Sequence, residues 1–336
     1  MSQFGKYELL DKIGEGGFGI VYRAQDPLLE RPVAIKILRS ELASAPDFVE
    51  RFRREARLAA SLRHPNIITI FEVGEQDGRY FLVMDELPGG RLSGLLEAGK
   101  PLPVYRVIEI LRPLALALDY AHSRQVIHRD VKPSNVLFAE DGRPVLTDFG
   151  LVKSMVEQNN TTTGVVLGTV EYMAPEQILG REIGPAADIY ALGIIAYQML
   201  TGKLPFTGNT PFEIQRAHTT QAVPEARSLN PELSPAISKI LERALAKDPA
   251  KRFESASLFI GELSKYYLAR KDPQLDKRLQ AARQAMQRMD FDEAIHILEG
   301  MVDIAPNIES INLLKECRRR QGISDLLHIC RLDLTR

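Results

Sequence analysis

Residues 128–135 read HRDVKPSN, and Asp148 opens the triplet DFG soon afterwards. Together they bring a carboxylate at Asp130, a lysine at Lys132, an amide at Asn135 and a second carboxylate into 21 residues. Carboxylate and amide oxygens are ligands that hard divalent cations prefer, and a lysine can neutralise negative charge that develops in a reaction. This spacing indicates a site that combines a base, a cation and a magnesium ion.

A glycine-rich segment, GEGGFGIV, occupies residues 14–21 near the amino terminus. Glycines have no Cβ atom, so the backbone can approach phosphate oxygens closely. Such a segment is also common in plain hairpins and is a weak signal on its own. Strands are predicted on both sides of it, at residues 7–13 and 20–25, and this context argues against a dinucleotide-binding fold.

A lysine and a glutamate follow at positions that suit an ion pair. Lys36 ends the sequence VAIK on a third predicted strand, residues 32–38, and Glu55 lies on a predicted helix, residues 47–63. Glu55 falls on the same apolar face of that helix as Phe52. Because a carboxylate on an apolar face is unfavourable unless it is paired, we expect it to pair with Lys36.

In this order, the segments resemble the glycine-rich loop, the strand lysine and the catalytic loop of protein kinases. The resemblance covers residues 7–268. The sequence KPSN at residues 132–135 resembles serine/threonine kinases and not tyrosine kinases. Tyr190 stands where eukaryotic kinases usually have tryptophan and where bacterial members often have tyrosine. The chain therefore resembles the bacterial, eukaryotic-like (Hanks-type) serine/threonine protein kinases.

The resemblance implies an α+β, two-lobed kinase fold followed by a short α-helical C-terminal segment. We expect a β-rich N-lobe at residues 7–87, a helical C-lobe at residues 88–270 and the helical segment at residues 271–336. The hydrophobic patterns predict two more strands, at residues 67–72 and 80–85. They also predict helices at residues 104–122, 188–200, 211–218, 234–246 and 255–267.

ATP is the phosphate donor that the resemblance implies. Lys36, held by Glu55, is expected to contact the α- and β-phosphates as part of the catalytic machinery. The expected ATP site consists of the glycine-rich loop, the side chains that cover adenine, the gatekeeper, the hinge and the pocket floor. Its residues are Ile13, Gly14, Glu15, Gly16, Gly17, Phe18, Gly19, Val21, Ala34, Lys36, Met84, Asp85, Glu86, Leu87 and Leu137.

The same resemblance gives roles to the catalytic loop. Asp130 is expected to accept or orient the proton of the substrate hydroxyl, and Lys132 to neutralise the transferring phosphate. Asn135 and Asp148 are expected to hold Mg²⁺, with Mn²⁺ as the alternative ion.

Regulation by phosphorylation is predicted as well. Thr161 and Thr163 align with autophosphorylation sites in the activation segment of bacterial relatives, and a flexible polar loop is the alternative interpretation. Arg129, beside the base, needs an anion, and a phosphothreonine there would order the segment. Arg51, on the helix that carries the glutamate, is expected to supply a second contact. Thr169 instead resembles the residue that lines the substrate-hydroxyl pocket.

Three further residues are expected to have structural roles. Glu176, in the triplet APE, is expected to pair with Arg252. Asp188 is expected to bond the backbone of the catalytic loop.

The C-terminal segment is predicted to be helical at residues 274–321. Its sequence DFDEAI, at residues 290–295, and the later Pro306 resemble the second half of a tetratricopeptide repeat. Ala281, Ala282 and Ala285 fall where such a repeat packs its first helix. A single repeat without the turn glycine is equally compatible with a plain helical hairpin, and both interpretations stay open.

Composition excludes several classes of protein. The net charge is −1 over 336 residues, and the basic run at residues 318–320 is predicted to be a solvated helix face, so no nucleic-acid partner is expected. Only Cys317 and Cys330 are present, which indicates reduced thiols in a cytoplasm and no disulfide framework. No targeting signal is apparent, and the longest apolar run, residues 190–200, is about half a membrane span.

The predicted function is transfer of the ATP γ-phosphate to Ser/Thr hydroxyls of protein substrates, with a homodimer as one route to autophosphorylation. A pseudokinase would lack Lys36, Asp130 or Asp148, and all three are present. A small-molecule kinase would lack the APE triplet and the pocket at residues 168–169. A kinase-fold scaffold that acts through a protein partner of the C-terminal helices remains the alternative.

Overall fold

The computed structural model describes residues 2–16, 19–39, 46–149, 170–268, 273–304, 310 and 312–322. A β-rich lobe comes first and a helical lobe follows, which is the α+β arrangement that the sequence predicts.

The β-rich lobe is a six-stranded antiparallel sheet with the order β1-β2-β3-β4-β6-β5. Its strands are β1 Ser2–Phe4, β2 Tyr7–Gly16, β3 Gly19–Asp26, β4 Arg31–Leu38, β5 Ile70–Gln76 and β6 Arg79–Asp85. Strand β1 was not predicted. It pairs Phe4 with Tyr7, and the Phe4 ring packs edge-on against Phe81 at 5.3 Å. Burial of this aromatic ring explains why so short a strand joins the sheet.

Strand β4 lies between β3 and β6, so Val33, Ile35 and Ile37 are buried in the core. Lys36 is the charged residue within this apolar run. It lies opposite Val21 on β3 and Leu82 on β6. The register of a central strand therefore fixes the direction of the lysine.

Helix α1, Pro46–Ser61, follows the sheet's fourth strand and buries Phe52, Ala56 and Ala59. The strand predicted at residues 67–72 was wrong in its position, because β5 begins only at Ile70. Ile67 instead forms a bridge with Leu146, and the Ile68 amide donates to the Leu146 carbonyl at 2.9 Å. The start of the apolar run thus pairs with a strand outside the sheet.

The helical lobe contains α2 Leu92–Leu96, α3 Val104–His122, α4 Pro175–Ile178, α5 Pro185–Thr201, α6 Pro211–Thr220, α7 Ala226–Leu229, α8 Pro235–Ala244 and α9 Ala256–Leu268. Helix α5 is buried along almost its whole length and forms the centre of the lobe. Several of these helices begin with proline, whose missing N–H group is not needed there. Thr210 and Ser234 cap α6 and α8 by accepting bonds from the backbone amides three residues later.

A short hairpin of β7 Val136–Phe138 and β8 Pro144–Leu146 was not predicted. A 3₁₀ turn, Pro133–Asn135, leads directly into β7. The Thr147 amide donates to the Asn135 carbonyl at 2.9 Å. The hairpin therefore holds the two ends of the catalytic segment next to each other.

The chain divides into two compact units, one of Met1–Leu102 and Ile110–Gly261 and the other of Pro103–Glu109 and Glu262–Arg336. In the second unit, α10 Pro273–Gln287 and α11 Phe291–Ile304 form a hairpin, and residues 312–322 are helical.

The core of this second unit contains fully buried small side chains at Ala282, Ala285 and Ala294 together with Leu298. At the turn between α10 and α11, Met289 takes a left-handed conformation with φ 63°. Such a conformation favours glycine, so this turn departs from the usual helix ending.

The basic run of residues 318–320 lies against carboxylates of the same unit. Arg318 pairs with Glu299 at 2.7 Å, and both following arginines pair with Glu316.

The described residues include no helix that is long and apolar enough to cross a membrane.

Candidate active site

The catalytic segment gathers two polar side chains around the Asp130 carboxylate. Lys132 Nζ lies 2.8 Å from Asp130 Oδ2, and Asn135 Nδ2 donates to the same oxygen at 3.0 Å. Asn135 Nδ2 also donates to the Asp130 carbonyl at 2.9 Å. All three residues line one cavity. The arrangement orients the Asp130 carboxylate before any substrate is present.

Asp188, in the first turn of α5, holds the backbone of this segment. Its carboxylate accepts bonds from the His128 and Arg129 amides, each at 2.8 Å, and lies 2.7 Å from His122 Nε2. Arg129 has φ 64°, a strained value for a residue with a side chain. The Gln177 side-chain amide donates to the Arg129 carbonyl at 2.9 Å. These bonds offset the strain and fix the segment.

His128 is fully buried, and its ring lies 4.5 Å from that of Phe149. Its Nε2 lies 2.9 Å from the Thr147 carbonyl oxygen. Burial lowers the pKa of His128, although the nearby Asp188 opposes this effect. A buried, neutral ring that connects the two ends of the segment is a structural group and not a proton donor.

Lys36, from β4, reaches across to the aspartate of the DFG triplet. Its Nζ lies 2.5 Å from Asp148 Oδ1. Burial alone would raise the pKa of Asp148, but the Lys36 ammonium outweighs that effect, so the pKa is lowered and the carboxylate stays ionised. Asp148 has φ 56°, so its backbone is also strained.

Glu55 is half-buried on the face of α1 that carries Phe52 and Ala56. It has an interaction partner in the structure, and pairing with Lys36 stays a prediction. The Arg51 backbone lies in the same helix, and its side chain is outside the described part of the chain.

The cavity has a volume of about 940 Å³, which suits a ligand of nucleotide size. It is lined by the predicted nucleotide residues Ile13, Gly14, Glu15, Gly16, Gly19, Val21, Ala34, Lys36, Met84, Asp85, Glu86, Leu87 and Leu137. The remaining two, Gly17 and Phe18, lie outside the described residues. Ile68 and Thr147 also line the cavity and were not predicted, because neither belongs to a recognisable motif.

Gly16 and Gly19 of the loop are favoured as glycines for different physical reasons. A Cβ atom at Gly16 would meet nothing within 4 Å, so its backbone faces open space where phosphates would approach. A Cβ atom at Gly19 would collide with the Ile37 carbonyl oxygen on β4. Gly19 is therefore required by strand packing as well.

The donor set at Asn135 and Asp148 fits a magnesium ion. The Asn135 amide nitrogen is directed to Asp130, which leaves its oxygen for a ligand. One Asp148 oxygen bonds Lys36, and the other accepts no hydrogen bond from the residues that the structure describes. Mg²⁺ typically takes only one or two protein oxygens beside water and phosphate, so two suffice. The described residues contain no cluster of three or more His, Cys, Asp or Glu side chains that could hold a metal.

Arg129 directs its side chain into a buried environment. Its Nε atom is buried and has no hydrogen-bond partner within the described part of the chain. A buried N–H group of an arginine without an acceptor favours binding of an anion. The predicted phosphosites Thr161 and Thr163, and the pocket residue Thr169, lie outside the described residues.

Glu176 and Arg252 form a buried ion pair in the helical lobe. Arg252 donates to the two Glu176 carboxylate oxygens at 2.6 and 2.8 Å, and both residues are 3% exposed. Arg252 also donates to the carbonyls of Ala186 and Ala246. The pair thus joins α4 to the start of α5 and to the segment after α8.

Tyr190 has a partner that sequence reasoning missed. Its hydroxyl lies 2.9 Å from His218 Nδ1 on α6, and both side chains are fully buried. Phe206 packs against the same imidazole at 4.9 Å. A buried tyrosine hydroxyl needs such a partner, so tyrosine at this position depends on His218. A histidine late in a predicted helix was the only available signal.

The stability of the protein should depend on pH through His218. Burial lowers its pKa to about 4, whereas an unfolded histidine titrates near about 6.5. Between these values only the unfolded chain binds the proton. The free energy of unfolding should therefore fall by about 3 kcal/mol as the pH drops from about 6.5 to about 4, and level off below.

Urea denaturation at a series of pH values measures this dependence. His218→Gln can still bond Tyr190 but does not titrate, so it should lose less stability over the same range. Equal losses in the two proteins would show that His218 is not the responsible group. The buried His128, whose pKa is also lowered, contributes in the same direction in both.

Comparison with known proteins agrees with this geometry. Residues 7–261 match the family described as protein kinase domain. The serine/threonine-protein kinase PrkC of Bacillus subtilis (strain 168) is 41% identical, over 75% of this chain and 39% of its own length. The serine/threonine-protein kinase PknA of Mycobacterium tuberculosis is 38% identical, over 80% of this chain and 63% of its own. The chain thus spans less than two thirds of the length of these relatives.

A solved structure gives the same result. The crystal structure of the Mycobacterium tuberculosis PknI kinase domain is similar with a TM-score of 0.63 at 31% identity, covering 79% of this chain and 97% of that one. The fold is therefore the two-lobed kinase fold, with a β-sheet lobe and a helical lobe. From the family match over most of its length, the chain belongs to the protein kinase family, in its bacterial, eukaryotic-like (Hanks-type) serine/threonine branch.

Proposed function

We propose that this chain is an ATP-dependent protein kinase that transfers the γ-phosphate to Ser/Thr hydroxyls of protein substrates. The observation that carries the proposal is the Asp130 carboxylate, held by Lys132 and Asn135. It lines the same cavity as the Lys36–Asp148 ion pair. A base, a phosphate-neutralising cation and oxygen ligands for a metal therefore meet at one place.

In the proposed reaction the substrate hydroxyl oxygen forms a bond to the γ-phosphorus, and the bond from that phosphorus to the β–γ bridging oxygen breaks. The hydroxyl proton passes to Asp130, and ADP leaves with the bridging oxygen. Lys132 neutralises the charge on the transferring group, and Lys36, supported by Glu55, holds the other phosphates. Asn135 and Asp148 would hold Mg²⁺, or Mn²⁺, which when bound neutralises phosphate charge. Thr169 would line the pocket for the hydroxyl.

Regulation by autophosphorylation is part of the proposal. The buried Arg129 Nε, which has no hydrogen-bond partner among the described residues, supports a role in binding a phosphate on Thr161 or Thr163. Arg51 would supply the second contact to that phosphate. A homodimer is one route by which one copy would phosphorylate another.

We divide the chain into an N-lobe at residues 7–87, a C-lobe at residues 88–270 and a tail at residues 271–336. The reaction consumes ATP, which supports a cytoplasmic location.

The tail has its own core, with Ala282, Ala285 and Leu298 fully buried, which supports a repeat-like segment that binds a protein partner. Leu298→Asp should disrupt that core and abolish partner capture while phosphoryl transfer continues.

Phosphoamino-acid analysis tests the proposed reaction. A mixture of protein substrates incubated with the chain and Mg-ATP should contain phosphoserine and phosphothreonine, and no phosphotyrosine above background. Labelling confined to tyrosine would contradict the Ser/Thr assignment. No labelling of any substrate, or of the chain itself, would favour a kinase-fold scaffold.

A further inference from the structure

Arg91 is an exposed residue at the mouth of the cavity. Its backbone is fixed, because it forms a bridge with Leu137, and the neighbouring Gly90 carbonyl accepts a bond from the Phe138 amide at 2.9 Å. The preceding Gly89 packs so tightly against β7 that a Cβ atom there would lie 2.6 Å from two carbonyl oxygens. The position of Arg91 relative to the floor of the cavity is therefore set by the fold.

The guanidinium of Arg91 extends towards the glycine-rich loop. Its Nη2 atom lies 3.1 Å from where a Cβ atom of Gly14 would be. The side chain thus lies between the start of that loop on β2 and the cavity floor at Leu137.

Arg91 differs in its pairing from the other basic residues that line the cavity. Arg23 pairs with Glu86 at 2.6 Å, and Lys36 and Lys132 pair with Asp148 and Asp130. Arg91 has no carboxylate within ion-pair distance among residues of the described ranges. Its charge is therefore available to an incoming anion.

The same cavity also contains an acidic residue. Glu171 lines it, together with Gly208, Asn209 and Thr210, which are uncharged. A polypeptide that presents a hydroxyl to Asp130 within this cavity can meet the Arg91 cation and the Glu171 carboxylate. Charge complementarity then favours an acidic side chain near Arg91 and disfavours one near Glu171.

We propose that Arg91 is a specificity-determining residue that binds an acidic side chain of the protein substrate, on one side of the acceptor hydroxyl. The inference rests on the proposed kinase function and adds a substrate class to it. The rest of the machinery does not require Arg91, because the catalytic groups are held by their own partners.

Peptides that carry one acceptor threonine test the proposal, with Glu, Ala or Arg placed at successive positions on either side. For the native chain, kcat/KM should be about tenfold higher with Glu than with Arg at a position on one side only. Arg91→Glu should reverse that preference, and Arg91→Ala should abolish it. Arg79→Glu, an equal charge change on an exposed residue of β6, should leave it unchanged.

Two results would overturn the proposal. The first is a ratio of kcat/KM between the Glu peptide and the Arg peptide that is the same in the native chain and in Arg91→Glu. The second is a rise in the KM for ATP in Arg91→Ala that is equal for all peptides, since Arg91 would then serve the nucleotide. Failure of the kinase function itself looks different: the native chain would phosphorylate no peptide and would not label itself, and the present inference would fall with it.

Discussion

Asp130→Asn is expected to lower kcat by about 10²–10⁴-fold, because general-base catalysis contributes factors of that size. Asparagine has nearly the same shape, so the bonds from Lys132 and Asn135 can be largely retained while the base is lost. Initial rates at saturating Mg-ATP and substrate measure the effect. The KM for ATP should change little, since Asp130 acts on the substrate hydroxyl.

Asp141→Asn is the matched control for this substitution. Asp141 lies on the exposed turn of the β7–β8 hairpin, in the same part of the sequence but outside the cavity. It should retain the native kcat. If Asp130→Asn kept more than a tenth of the native kcat at unchanged stability, Asp130 would not be the catalytic base.

Arg252→Ala is expected to lower the free energy of unfolding by about 3–5 kcal/mol, because it leaves the Glu176 carboxylate buried without a counter-charge. Glu176 is 3% exposed, and Arg252 supplies two bonds to it. The truncation also removes donors to the Ala186 and Ala246 carbonyls. Urea denaturation followed by circular dichroism measures the loss.

The double variant Glu176→Gln with Arg252→Met separates the effect of the unpaired charge from that of the lost bonds to backbone carbonyls. It removes both charges and keeps similar volumes, so it should be clearly more stable than Arg252→Ala. A double variant that is as unstable as Arg252→Ala would mean that the lost bonds to the backbone carbonyls, and not the unpaired carboxylate, determine the loss. Arg181→Ala, at an exposed position after α4, should have little effect.

Sequence reasoning located most elements of the fold because local pattern and tertiary packing agree. The helix predicted at residues 104–122 is α3 with the same bounds, and the apolar run of β4 is a central strand. The strand predicted at residues 67–72 was misplaced because Ile67 and Ile68 pair with Leu146, far along the chain. A short run of apolar residues indicates an extended strand and does not identify the strand's pairing partner.

At the candidate site, side chains with an obligatory chemical role were the easiest to find. Asp130, Lys132, Asn135 and Asp148 could be named because they match the catalytic-loop and DFG motifs of protein kinases, and the structure places all four on one cavity. Residues whose importance comes from a distant partner could not be found in this way. His218 matters because Tyr190 lies 2.9 Å away, and Arg91 because of its distance to the glycine-rich loop.

Intact-mass spectrometry of the purified chain, before and after incubation with Mg-ATP, tests the central claim most directly. The native chain should gain the mass of one or more phosphate groups, located by peptide mapping on threonine, with Thr161 and Thr163 as the expected sites. The Asp130→Asn variant treated in parallel should gain none. Equal phosphate incorporation in the two proteins would contradict the claim that Asp130 and its neighbours form the site of phosphoryl transfer.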